Sequence, residues 1–136
     1  MLISELYEAL QHIALQDFSD IVVRTELIRF QSGEIQKLRL HLSNESFIEV
    51  HTSMTGRYSF HWERRLSGRA DLYRFDNAPH GRWKQVDSYP HNFHDGRDDN
   101  VIASPLTDDP REGLREVCRF ARAKLRKDAQ TERKER

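Results

Sequence analysis

The densest collection of reactive side chains in this sequence is Arg74-Phe75-Asp76-Asn77-Ala78-Pro79-His80, followed by Tyr89-Pro90-His91-Asn92-Phe93-His94. His80 and His91 each follow a proline, whose φ, locked near about −65°, limits how the next imidazole can wander. Asp76 falls where a strand ends, so a rigid element would hold its carboxylate. Two chemistries suit such a set. His91-x-x-His94 has ligand-like spacing, and Asp76 or His80 could complete a metal site. Alternatively, a histidine pair with pKa near about 6.5 can take a proton from a nucleophile and return one to a leaving group. The guanidinium fork of Arg74 or Arg82 would then stabilise a phosphate. Cleavage of RNA through its own 2′-hydroxyl needs those parts and no cofactor. A third use of the same segment is recognition of a protein partner without catalysis.

A second, softer constellation is spread along the strands. Arg39, His41, Glu49, His51, Ser59, His61, Arg74 and Asp76 all lie opposite the apolar members of their strands. If the registers align, one sheet face is apolar and the other carries histidines, arginines and carboxylates. An open antiparallel sheet routinely has a polar solvent face, and His41 and His51 are assigned to it. Glu49 and His61 are kept as substrate-binding candidates beside Arg74 and Arg82.

The elements that must position these groups follow from periodicity. Leu6, Leu10, Ile13 and Ala14 recur at helical spacing, which predicts a helix over Glu5–Gln16 with Ser4 as N-cap. Five β-prone runs come next: Asp20–Phe30, Ile35–Leu42, Phe47–Thr52, Arg57–Trp62 and Ala70–Phe75, separated by short turns such as Gln31-Ser32-Gly33-Glu34 and Leu66-Ser67-Gly68. Strands in direct succession indicate an antiparallel meander, not βαβ units. From Asp76 to Pro110 the pattern lapses into a long loop holding all four prolines, the kind of loop that is usually functional or disordered. Asp109 as N-cap, Pro110 at the first helical position and Glu112 three residues on then open a second helix. Leu114, Val117, Cys118, Ala121 and Leu125 form its apolar stripe. The expected fold is α+β: a five-stranded antiparallel meander with both terminal helices on one face. Residues 1–126 form a single domain, and 127–136 a basic, frayed tail. Cys118, Tyr58 and Trp62 are expected in the core.

Composition narrows the function classes. Basic and acidic residues balance at 22 each, which excludes a polybasic nucleic-acid coat, although residues 111–136 hold ten basic side chains against five acidic. One cysteine excludes a disulfide framework and any multi-cysteine zinc module and suits a reducing compartment. No apolar run approaches the roughly 20 residues of a membrane span. Met1-Leu2-Ile3-Ser4-Glu5 shows no secretory leader, so a cytoplasmic location is expected.

The run Tyr58-Ser59-Phe60-His61-Trp62, then Tyr73-Arg74-Phe75-Asp76-Asn77-Ala78-Pro79-His80, then Tyr89-Pro90-His91-Asn92-Phe93-His94, resembles the TumE-type family over roughly residues 45–120. Members are assigned as toxins of bacterial and archaeal toxin–antitoxin pairs. The family pattern has two further histidines where this chain has Gly81 and Asn92, leaving His80, His91 and His94. The resemblance implies a cognate antitoxin as partner. Joined to the residue chemistry, it yields the leading expectation of a cytoplasmic, metal-independent ribonuclease with no cofactor. Asp76 orients a histidine, His80 and His91 act as acid and base, Arg74 binds the scissile phosphate, and His94 supports substrate or a neighbouring imidazole. A metal-dependent hydrolase and a protein-binding module remain the alternatives, and a homodimer is left open.

Overall fold

Seven strands in strict chain order, each antiparallel to the next, build one sheet in the computed structural model, which describes residues 2–65 and 68–135. Helix α1 (Ile3–Asp17) precedes β1 (Val22–Arg29), β2 (Ile35–Leu42), β3 (Phe47–Thr52), β4 (Tyr58–Glu63) and β5 (Leu72–Asp76). A 3-10 turn (Gly81–Trp83) leads to β6 (Asn92–Gly96) and β7 (Val101–Ala103), and α2 (Pro110–Glu135) closes the chain. The order of elements is the expected meander. Gly33, at φ 95°, closes the β1–β2 turn in the left-handed region that favours glycine. The expected turn at Leu66-Ser67 lies outside the described residues.

Alternation along the strands sends Leu38, Leu40, Leu42, Ile48, Val50, Phe60, Trp62 and Phe75 to one buried face. Both helices cover it. α1 contributes Leu6, Tyr7, Leu10, Ile13 and Ala14, and α2 contributes Leu114, Val117, Cys118 and Ala121. Phe120 stands edge-on to Trp62, Tyr73, Phe75 and Phe93, with ring centroids 5.0–6.2 Å away, a geometry that aromatic quadrupoles favour. Gly113 lets α2 approach closely, since a Cβ there would sit 3.3 Å from the Phe60 ring. Trp62 is buried with its indole N–H donating to Ser46 Oγ at 2.9 Å. Cys118 is buried, and that burial pushes its thiol up to about 12; it is core.

Three expectations are corrected. The sheet has seven strands, not five, because the supposed loop folds back as β6 and β7. Their signal is weak: β6 has one large apolar residue, Phe93, between the buried polar Asn92 and His94, and β7 is three residues long. Ser4 is not the cap of α1. The helix starts two residues earlier from an extended Leu2 with no side-chain cap, and Ile3, packed against the core, sets its start. α2 also runs past Leu125 to Glu135. Asp128 and Glu132, in the segment expected to fray, reach Arg64 and Arg69 beyond the end of β4. Asp109 does cap α2, accepting the Arg111 N–H at 3.0 Å.

Candidate active site

The strand register aligns the polar face. Arg39 pairs with Glu49, Glu49 with His61, His61 with Arg74, and Arg74 with His94, so these five side chains form one row across β2–β6. The adjacent row runs His51, Ser59, Asp76 and Asn92. Paired residues share a face, so the sheet delivers Arg74, Asp76 and His94 to one place.

They interlock there. Asp76 Oδ2 accepts from Arg74 Nε at 3.1 Å and lies 3.3 Å from His94 Nε2. Its Oδ1 accepts from Asn92 Nδ2 at 3.1 Å and from the Ala78 N–H at 3.2 Å. Burial alone would raise the Asp76 pKa; the hydrogen bonds from His94, Asn92 and Ala78 outweigh it and hold the carboxyl below its usual range. His94, 2% exposed, donates from Nδ1 to the Asp98 carbonyl at 2.7 Å, and Trp83 in the 3-10 turn meets it edge to face. Its Nε2 faces both an acceptor, Asp76, and a donor, Arg74 Nη2 at 3.3 Å. A neutral ring accepts from Arg74, and a protonated ring donates to Asp76. Nε2 can therefore take up or release a proton and keep a hydrogen bond in either state.

Beside this network a pocket of about 570 Å³ opens on the polar face, with His51, Arg57, Ser59, Arg74, Asp76 and Asn77 in its lining. Tyr7 fixes the end of β3 that carries His51: its hydroxyl accepts the Thr52 N–H at 3.0 Å. Desolvation of the ring, reinforced by the Lys37 ammonium, holds the pocket-lining His51 imidazole below its usual pKa.

The remaining sequence candidates disperse. His80 turns Nδ1 onto the Arg82 N–H at 3.2 Å and caps the 3-10 turn. Among the described residues no hydrogen bond or ring contact joins it to His91 or His94. His91 lies toward the helix side, with Nδ1 2.8 Å from Tyr58 Oη and Nε2 3.4 Å from Asp108. Arg82 stacks over Trp83 at 4.7 Å. Glu49 is occupied by Lys37 at 2.6 Å and Arg39 at 3.4 Å, and these cations outweigh burial to lower its pKa. His61 lies 3.5 Å from Glu63. Among the described residues, no three histidine, cysteine, aspartate or glutamate side chains gather closely enough to hold a metal ion. Sequence reasoning assigned His51 to the polar solvent face, where the structure places it, exposed and in the pocket lining, and left Arg57 out. The signal for His51 was its alternation in phase with Ser59 and Asp76.

Among the described residues no helix is long and apolar enough to cross a membrane. A sequence model of the family described as Toxin TumE matches residues 10–125. Neither the curated proteins nor the solved structures contain a match.

Proposed function

The chain belongs to the TumE toxin family, and from that premise we propose that its toxic step is cleavage of RNA without a metal, in the pocket floored by Ser59 and Asp76. It is a toxin of the toxin–antitoxin type, and the partner is a cognate antitoxin. The observation that carries the catalytic reading is that Arg74 and Asp76 line the same pocket as His51, while the buried His94 backs Asp76 from behind.

The chemistry uses the substrate's own nucleophile. His51 takes the proton of a ribose 2′-hydroxyl, and the 2′-oxygen attacks the adjacent phosphorus. The P–O5′ bond breaks, and the leaving 5′-oxygen gains a proton. The Asp76–His94 pair supplies it, since His94 Nε2 can hold a proton against Asp76 Oδ2. Arg74 Nε, donating to Asp76 Oδ2 at 3.1 Å, keeps the carboxylate aimed. His51 thus takes the base role that spacing alone assigned to His80 or His91.

The test is purified protein with a defined RNA in the presence of a chelator. Products ending in 2′,3′-cyclic phosphate and 5′-hydroxyl are expected, with none from a strand carrying 2′-deoxyribose at the cleavage position. Intact RNA, or fragments with 3′-hydroxyl ends, would overturn the reading. Growth arrest that persists in His51→Ala and Asp76→Asn cells would instead favour a protein-binding toxin.

A further inference from the structure

We infer that Arg57, and not Arg74, is the phosphate-binding guanidinium of this pocket, and that its ligand is a backbone phosphodiester seated over Ser59. This rests on the ribonuclease reading and deepens it. Two guanidiniums line the pocket. Arg74 is committed on every side: Nε to Asp76 at 3.1 Å, Nη1 to Asp98 at 3.3 Å, and Nη2 to His94 at 3.3 Å. Each terminal nitrogen keeps one further N–H, but a phosphate approaching it meets the carboxylates of Asp76 and Asp98 that already flank the guanidinium. Among the described residues, Arg57 makes no side-chain hydrogen bond, ion pair or ring contact.

The free side chain stands on a fixed backbone. The Ser53 N–H donates to the Arg57 carbonyl at 3.0 Å, and the Arg57 N–H donates to Ser53 Oγ at 3.2 Å. Asn77, the residue after β5, clamps the same turn. Its Nδ2 donates to the Gly56 carbonyl at 2.8 Å, and its Oδ1 accepts the Tyr58 N–H at 2.9 Å. Gly56 permits the turn with φ 90°. Asn77 of the Asp-Asn-Ala-Pro string thereby positions Arg57, so one tetrapeptide serves both the acid–base network and the phosphate site.

Charge and span agree. Asp76 would repel a phosphate if bare, but its oxygens already accept from Arg74, Asn92 and Ala78, and Arg57 is the guanidinium of the pocket that has no carboxylate paired to it among the described residues. His51 and Asp76 lie two strands apart, with Ser59 paired to each. At roughly 4.8 Å per strand spacing that separation is on the order of 10 Å, wide enough for a phosphodiester between base and acid. Among the described residues the Ser59 hydroxyl has no hydrogen-bond partner, and it can donate to a phosphate oxygen from the floor.

The experiment is fluorescence anisotropy with a short, uncleavable 2′-O-methyl oligoribonucleotide over a salt series. Arg57→Ala should weaken binding about tenfold at low salt and reduce the slope of log K against log salt by about 1. Arg57→Lys should keep the slope and lose part of the affinity, because the charge remains and the fork does not. Arg126→Ala, on the exposed side of α2, should leave both unchanged. If wild type binds and Arg57→Ala matches it in affinity and slope, the Arg57 assignment is overturned while the ribonuclease reading stands. If wild type binds no oligoribonucleotide, the ribonuclease reading falls and this inference with it.

Discussion

Asp76 shows how one carboxylate can be shared between folding and chemistry. Four groups converge on it, and Asn92, one of its donors, is wholly buried. Asp76→Asn should abolish RNA cleavage and also lower the melting temperature, because an amide NH2 in place of Oδ2 cannot accept from Arg74 Nε or His94 Nε2, a loss of about 1–3 kcal/mol. His51 is the cleaner probe, since among the described residues its imidazole holds no hydrogen bond. His51→Ala should leave the melting temperature within a degree or two of wild type and reduce turnover by about 10²–10⁴. With its pKa held below the ordinary value of about 6.5, His51 loses its base role only as pH falls through that lowered value. The acid limb of kcat/KM should therefore lie below pH about 6.5 in wild type, and residual activity in His51→Ala should lack it. An acid limb retained in that variant assigns the base elsewhere.

At the scale of elements, two contacts decide whether α2 lies on the sheet. Phe120 is the edge-on partner of four rings on β4, β5 and β6, so Phe120→Ala should destabilise by about 3 kcal/mol, read from chemical denaturation. Gly113→Leu should cost about 1–3 kcal/mol by overpacking against Phe60, although glycine is a poor helix former. A neutral or stabilising result at Gly113 would mean that the helix can slide. β4 ends on a pH-sensitive contact. Hydrogen bonds from the Arg65 guanidinium hold the Glu63 pKa down to about 2. A depressed carboxylate contributes stability that is full above its unfolded pKa, about 4.3, and is lost as pH falls through the folded value. Wild-type stability should thus decline between pH about 4.3 and about 2, and Glu63→Gln should remove that share of the slope. An unchanged slope would show that the Arg65 contact contributes nothing.

For the molecule as a whole, the far end of α2 is tied to the sheet by a buried cation. Arg64 is fully buried, pairs with Asp71 at 2.9 Å and with Asp128, and lies 4.5 Å over the Trp62 ring. Its charge left the water, so losing one partner is costly. Asp128→Ala should destabilise by about 3 kcal/mol, measured by thermal or urea unfolding, and it should spare the pocket on the opposite face. A loss of RNA cleavage with the fold intact would show that the two faces are coupled. The molecule therefore divides its labour by sheet face: helices and stability on one side, titratable groups on the other.

Much of this was legible in the chain. Period-two alternation in Ile35–Leu42, Phe47–Thr52 and Tyr58–Glu63 decides which side chains share a face, because successive side chains must point to opposite sides of a strand. Helical spacing in α1 and α2 decides what covers the apolar face, and the Asp109-Pro110 cap decides where α2 begins. The polar face, with Arg39, Glu49, His61, Arg74 and Asp76 together, follows from those periods once strands pair in order. What remained hidden depends on contacts between residues far apart in sequence. β6 buries Asn92 and His94 on the polar face through hydrogen bonds to Asp76 and Asp98 and sends only Phe93 to the helix-covered face, so hydrophobic periodicity has a single residue to register. Sequence proximity suggested that His80, His91 and His94 act together, yet alternation and the 3-10 turn send them in three directions. Arg57 and His51 gain their place because cross-strand register and the Asn77 clamp bring distant turns to one pocket. Local periodicity carries no information about that closure; the tertiary structure decides it through register and backbone hydrogen bonding.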